Sequence, residues 1–346
     1  MKVDGLNNVD YLVERQKQLL AFDEKRDFNE YRKELKSKFI ELTGIDLIKE
    51  NCCEPEFDIE NEEQKDGYKL IRFTFKSENA EVVPCYLLIP DSVKGKKLPV
   101  VITLQGHSTG FHNSIGETKY EKDKSFTRGH IALQAVKRGY IALAIEQRGM
   151  GERAGDNTPE RRISIQRKED AMCYYQQMTN FLMGRTLIGG RCVDVSIAID
   201  ILAHFPECDT EKITITGGSG GGTASYYAAA YDERIKICVP VCSFCPFKES
   251  ILRFYHCSCN YIPSAYRYFD MQDIAALIAP RKLSVIAGKL DPSFLIKGVE
   301  RGYETVKKIY LKCSAPQNCN LIETEMGHYW CEDIVWNEID RLMKTL

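Results

Sequence analysis

Six short, nearly continuous apolar runs, at 98–104, 140–145, 212–216, 235–241, 282–287 and 320–324, punctuate the later part of this chain, and each is followed by a helical segment. A strand that is apolar along its whole length has both faces covered, and strands that alternate with helices are joined by crossovers. The pattern therefore predicts a parallel sheet with helices on both faces. Ahead of these runs, residues 69–75 and 81–89 alternate in polarity around Ser77-Glu78-Asn79-Ala80, as an antiparallel pair does. The sum is an α/β fold with a roughly eight-stranded, mostly parallel sheet. Residues 9–43 show helical spacing through Leu12, Leu19, Leu20, Phe28, Tyr31, Leu35, Phe39 and Leu42, which predicts two helices packed on the edge of the core. The expected organisation is an N-terminal helical extension over 1–65 and one domain over 66–346, with no internal repeat or linker.

A chain of 346 residues that is 44% hydrophobic can bury a large core without disulfides or metals. Its 47 basic and 49 acidic residues leave a net charge of −2, which offers no broad positive field to a nucleic acid or an anionic membrane surface. The N-terminal residues lack the apolar run that export requires, and no later stretch approaches the ~20 apolar residues of a membrane span. A soluble, cytoplasmic protein is expected, and its fourteen cysteines are read as reduced thiols.

The chemistry begins after the third apolar run, where Gly217-Gly218-Ser219-Gly220-Gly221-Gly222 leads into Thr223-Ala224-Ser225-Tyr226-Tyr227-Ala228-Ala229-Ala230. This is G-x-S-x-G at a strand-to-helix junction. A nucleophile on so tight a turn leaves room only for glycine two residues before and after it, at Gly217 and Gly221. The helix that starts there aims its free N–H groups and positive dipole end at the reacting centre, so Gly220 N–H is a candidate oxyanion donor. A phosphate-cradling loop fits less well, because no Lys-Ser/Thr follows the glycines and no G-x-G-x-x-G register is present.

A nucleophilic serine needs a base and an orienting acid, and on such elbows they follow in the order Ser, Asp/Glu, His on loops after later strands. The run at 282–287 leads into Gly288-Lys289-Leu290-Asp291-Pro292, and the run at 320–324 into Glu325-Met326-Gly327-His328-Tyr329-Trp330. Of six histidines, only His328 follows a C-terminal strand in this way. His328 is expected to take the Ser219 proton while Asp291 fixes its tautomer. Glu325 is the alternative acid.

The second oxyanion donor is expected in Leu104-Gln105-Gly106-His107-Ser108-Thr109-Gly110, through the backbone N–H of His107, with its side chain incidental. Gln105 stands where histidine is usual. After 140–145 comes Glu146-Gln147-Arg148-Gly149-Met150-Gly151-Glu152-Arg153, whose Arg148 is expected to tie the loop to a carboxylate, with a direct substrate role as the alternative. An aromatic-rich insertion over about 244–270, including Tyr255 and Tyr261, suits either a pocket wall or packing, and Trp330 is a further pocket candidate. Cys238, Cys242, Cys245, Cys257 and Cys259 lie close together, with Cys242-Ser243-Phe244-Cys245 forming C-x-x-C beside His256. Cys257-x-Cys259 is not the usual second half of a zinc clamp, so buried thiols and no metal or cofactor are expected.

These stretches, with Leu277-Ile278-Ala279-Pro280-Arg281 and His256 to Pro263, resemble the α/β-hydrolase superfamily, and within it the dienelactone-hydrolase-like and acetyl xylan esterase-like branch, over about 65–346. The resemblance implies an α/β-hydrolase fold and hydrolysis of carboxylic esters through an acyl-enzyme, with acetyl groups on carbohydrates as the candidate substrates. The partner implied is a small-molecule ester. Alternatives are a serine peptidase of the prolyl-oligopeptidase type, disfavoured because 1–65 is too short and helical for a propeller, and a catalytically silent ligand-binding member.

Overall fold

The computed structural model describes residues 5–107, 109–119, 129–154 and 171–346. Three helices come first, α1 (Asn7–Arg15), α2 (Phe28–Thr43) and α3 (Ile45–Lys49), then the strands β1 (Phe57–Lys65), β2 (Tyr68–Glu78), β3 (Glu81–Pro90) and β4 (Leu98–Leu104). Helices α4 (Phe111–Ser114) and α5 (Ile131–Lys137) lead to β5 (Ile141–Ile145), and α6 (Ala171–Leu182) and α7 (Leu187–Leu202) to β6 (Cys208–Gly218). The remainder runs α8 (Gly220–Tyr231), β7 (Ile235–Val241), α9 (Ala265–Tyr268), α10 (Ala275–Ile278), β8 (Lys282–Gly288), α11 (Ile296–Lys312), β9 (Cys319–Thr324) and α12 (Glu332–Met343).

One nine-stranded sheet has the order β1-β2-β3-β5-β4-β6-β7-β8-β9. The first four of these neighbours pair antiparallel, and from β5 onward every pair is parallel. The strand beyond the expected eight is β1, which lies inside the stretch assigned to the helical extension. Its residues between the ends are exposed on both faces and include Asp58, Glu60, Glu62 and Glu63. It therefore lacks the apolar alternation that reveals a strand, and its charges suit a sheet edge that must not recruit another chain.

Alternate residues of the central strands feed opposite faces: Val100, Ile102 and Leu104 of β4 join the larger core beneath α2, α3, α7, α8 and α11, and Val101 joins the smaller one beneath α5 and α12. Helix α2 joins the larger core through Tyr31, Leu35, Phe39 and Thr43, a four-residue spacing that makes one stripe. Asp27 caps it by accepting from Glu30 N at 2.9 Å. Lys36 Nζ donates to Ala230 O at 2.7 Å, placing a cation at the carboxyl end of α8. Among the described residues no helix is long and apolar enough to cross a membrane.

The sheet order fixes where a ligand can sit. The chain leaves β4 toward β5 on one side and returns across it to β6 on the other, so the loops after β4 and β6 diverge. A crevice opens at their carboxyl ends.

Candidate active site

At that crevice β6 delivers Ser219 into the first turn of α8 with φ 55° and ψ −123°. A non-glycine residue held there costs roughly 1–3 kcal/mol, so the surroundings must impose it. Ser219 N donates to Val241 O at 2.9 Å. A Cβ at Gly217 would lie 2.2 Å from Leu104 O, and one at Gly221 would lie 2.0 Å from the same oxygen. The helix can approach β4 this closely only if both residues are glycine. At Gly218 the nearest neighbour of a Cβ is Trp330 at an ordinary 3.6 Å.

Asp291 and His328, on the loops after β8 and β9, meet with Asp291 Oδ2 2.7 Å from His328 Nδ1. The other oxygen of Asp291 accepts from Ser293 N at 2.8 Å and Phe294 N at 3.1 Å, and the residue is only 3% exposed. The carboxylate is thus fixed by its own turn before it touches the imidazole. Phe294 stacks on the His328 ring, centroids 5.9 Å apart. Glu325 turns outward to Lys289 and is largely exposed. Ser219 and His328 line the same cavity of about 280 Å³, together with Gly106, His107, Cys242 and Trp330. Among the described residues no hydrogen bond joins Ser219 Oγ to His328; such contacts commonly tighten only around bound substrate.

The loop after β4 closes the opposite side. A Cβ at Gly106 would lie 3.2 Å from Gly218 O and 3.5 Å from Ser219 Cβ, so this backbone runs directly against the elbow. Gly220 lies under the His107 ring, 2.4 Å from Cε1 to where its Cβ would be. Gln105 Nε2 donates to Glu146 Oε1 at 2.6 Å, and Gln147 Nε2 donates to Gln105 O at 2.6 Å. The glutamine in place of histidine is therefore a buried strut between the β4 and β5 loops. Glu146 also accepts from Phe111 N and Glu152 N. Burial pushes its carboxyl up to about 8 against the pull of those N–H groups.

The remaining pocket candidates separate. Trp330 lines the cavity, its indole Nε1 donating to Gln134 Oε1 at 3.0 Å. Arg148 does not line it: the guanidinium is buried against Asp194 at 2.7 and 2.9 Å and Glu78 at 2.6 Å, the loop-holding arrangement. Tyr255 is 84% exposed, and Tyr261 donates to Ile251 O at 3.0 Å, so neither reaches the cavity. Within the aromatic insertion Phe244, Phe247 and Phe269 are buried in the larger core, so the stretch is mainly packing.

The cysteines regroup. All fourteen are free thiols. The C-x-x-C pair does not converge: Cys242 Sγ faces Tyr329 O at 3.6 Å, beside Asp291 and His328, and Cys245 Sγ faces Leu295 O. Instead His107, Cys173, Cys257 and Cys259 converge, and the His107 side chain is not incidental, since Nε2 lies 3.1 Å from Cys259 Sγ. Hydrogen bonds from Cys173 and Cys257 hold Cys259 well below the usual thiol range. Burial opposes a charged His107, but the neighbouring Cys259 outweighs it and pushes the imidazole up to about 10. No sequence motif links Cys173 to the others, and only the helix α6 brings it in.

Residues 4–223 match the Abhydrolase family. The chain is 26% identical over 262 residues to a protein of Bacillus subtilis (strain 168) named "Putative hydrolase YtaP", covering 72% of this chain and 79% of that one. Among solved structures it superposes on a Bacteroides fragilis NCTC 9343 protein described as a "putative acetyl xylan esterase (BF1801)", with TM-score 0.75, 20% identity and 99% and 90% of the two chains covered. A glucuronoyl esterase from Solibacter usitatus aligns with TM-score 0.60, 16% identity and 84% and 86% coverage. These likenesses carry the nine-stranded mixed sheet and its helices to an α/β-hydrolase fold, and with a family match over more than half of its length the chain belongs to the Abhydrolase family.

Proposed function

We propose that the protein is a serine carboxylesterase that acts through an acyl-enzyme on esters with a small acyl group, of the acetyl type, carried by carbohydrates. The observation that carries the reading is the convergence on one small cavity of Ser219, on its strained turn, with an imidazole already locked to a buried carboxylate at 2.7 Å. In this reading His328 removes the Ser219 proton as Oγ attacks the ester carbonyl and returns it to the leaving alkoxide. Asp291 holds the tautomer that leaves Nε2 free. The developing oxyanion is met by the N–H groups of Gly220 and His107, neither of which donates a hydrogen bond within the described residues.

The preference for a small acyl group rests on the cavity: about 280 Å³ lies at the lower limit of pockets that hold drug-sized ligands. Names of several structural neighbours supply the carbohydrate context; some act on acetyl esters, where the sugar is the alcohol, and others on glucuronoyl esters, where it is the acid. Initial rates on p-nitrophenyl esters of graded acyl length, on acetylated xylo-oligosaccharides and on methyl glucuronate separate them. Acetate release is expected to dominate, and exclusive turnover of methyl glucuronate would move the sugar to the acid side. Ser219→Ala is expected to lower kcat by on the order of 10⁶, and a fluorophosphonate probe is expected to label Ser219 alone. A Ser219→Ala protein with undiminished turnover ends the serine assignment.

A further inference from the structure

We infer that His107, Cys173, Cys257 and Cys259 form a zinc(II) site that fastens the oxyanion loop to helix α6 and the insertion after β7. The four ligand atoms lie within 4.8 Å of one another, with Cys257 and Cys259 Sγ 3.5 Å apart and His107 Nε2 3.1 Å from Cys259 Sγ. Around one tetrahedral zinc with Zn–S of about 2.3 Å and Zn–N of about 2.0 Å, ligand atoms stand roughly 3.6–3.8 Å apart. Small side-chain adjustments bring the set to that geometry. Three soft thiolates and one imidazole select zinc over the hard cations, and four protein ligands make a closed site with no open position for chemistry.

A second observation is the charge on the far side of the cluster. Arg191 is 2% exposed and, among the described residues, makes no ion pair with a carboxylate. Its Nη1 lies 3.3 Å from Cys259 Sγ and its Nη2 lies 3.7 Å from Cys173 Sγ. Nη2 also donates to Arg148 O at 2.7 Å, but a buried guanidinium needs an anion beside it, and among the described residues the candidates at hand are these sulfurs. Zinc with three thiolates and a neutral imidazole carries a net charge of −1, which one guanidinium balances. Each thiol gives its proton to solvent as its metal–sulfur bond forms.

The consequence for the site runs through His107. Its ring is the metal ligand and its backbone N–H the proposed oxyanion donor, so the metal would hold that donor in place from behind. This consequence rests on the proposed esterase reading; the metal site does not. The full chain, purified without chelator from zinc-supplemented medium, is expected to contain about one zinc per chain by elemental mass spectrometry. After removal of the metal, Co(II) alone is expected to give visible d–d bands and a near-ultraviolet thiolate-to-cobalt band. Cys257→Ser/Cys259→Ser is expected to lose both signals, while Cys313→Ser, at a site remote from the cluster, keeps them. A wild-type chain that neither retains zinc nor gives the thiolate-to-cobalt band overturns the site, as does stoichiometric zinc in a folded double variant. Fluorophosphonate labelling of Ser219 in the same samples reads the triad independently, so failure of one proposal leaves the other measurable.

Discussion

The two sides of the cavity are held differently. Ser219, Asp291 and His328 each stand within a few residues of a strand end; the Asp291 carboxylate is fixed by its own turn, accepting from Ser293 N and Phe294 N, and it and Phe294 in turn hold the His328 ring. The oxyanion side hangs instead on contacts between segments far apart in sequence. Gln105 is held by Glu146 and Gln147, Arg148 by Asp194 and Glu78, and the His107 ring by Cys259. The proposed reacting groups thus stand at strand ends and are tied to one another across two loops, whereas the shape of the proposed oxyanion hole depends on several distant segments. Damage to the first side should appear in kcat, and damage to the second in stability, pH response or metal content.

The largest effect expected tests the triad side. Asp291→Asn should lower kcat by as much as ~10⁴ with a smaller change in KM, because it favours the wrong tautomer of His328 without altering the cavity. Steady-state kinetics on a short-chain ester, with circular dichroism to verify folding, measures it. A loss mainly in stability would erase the distinction between the two sides.

Gly221→Ala joins the sides, since Gly221 packs on Leu104 O at the root of the oxyanion loop. Its added methyl should cost about 1–3 kcal/mol or more in denaturant unfolding. Gly218→Ala, with ordinary space, should stay within about 0.5 kcal/mol. Equal costs at the two positions would mean that helix and strand are not in the close contact seen here.

The next test concerns Glu146. Its folded carboxyl titrates near 8, against about 4.3 in an unfolded chain. Between those values the native state holds a proton that the unfolded state has lost, so this group makes the protein less stable as pH rises from about 4.5 to about 8. Glu146→Gln should remove that slope, so that the wild-type melting temperature falls relative to the variant's from pH 5 through 6 and 7 to 8. Parallel curves would show that Glu146 ionises normally. The smallest effect is expected at Glu325→Gln, whose exposed pair with Lys289 is screened by solvent and touches none of the proposed reacting groups. If that change were crippling and Asp291→Asn harmless, the acid would be Glu325.

The sequence by itself determined the parallel sheet, because strands buried on both faces must be apolar throughout, and β4, β7 and β8 carry that signature in nearly the bounds expected. It also marked Ser219, Asp291 and His328 as candidates, because each follows a strand and the G-x-S-x-G spacing is a local signal, although the carbonyl that forbids a Cβ at 217 and 221 belongs to Leu104 of β4. It hid β1, whose exposed charges carry no period. Tertiary structure alone decided which carboxylates, Asp194 and Glu78, Arg148 pairs with, that Tyr255 and Tyr261 stay outside the cavity, that Gln105 is a strut to Glu146, and that Cys173 meets His107 and Cys259 rather than Cys242 meeting Cys245. The physical reason is range: a backbone turn is set by a few neighbouring residues, but a buried charge or thiol takes its partner from whatever element the packing of the whole core brings beside it.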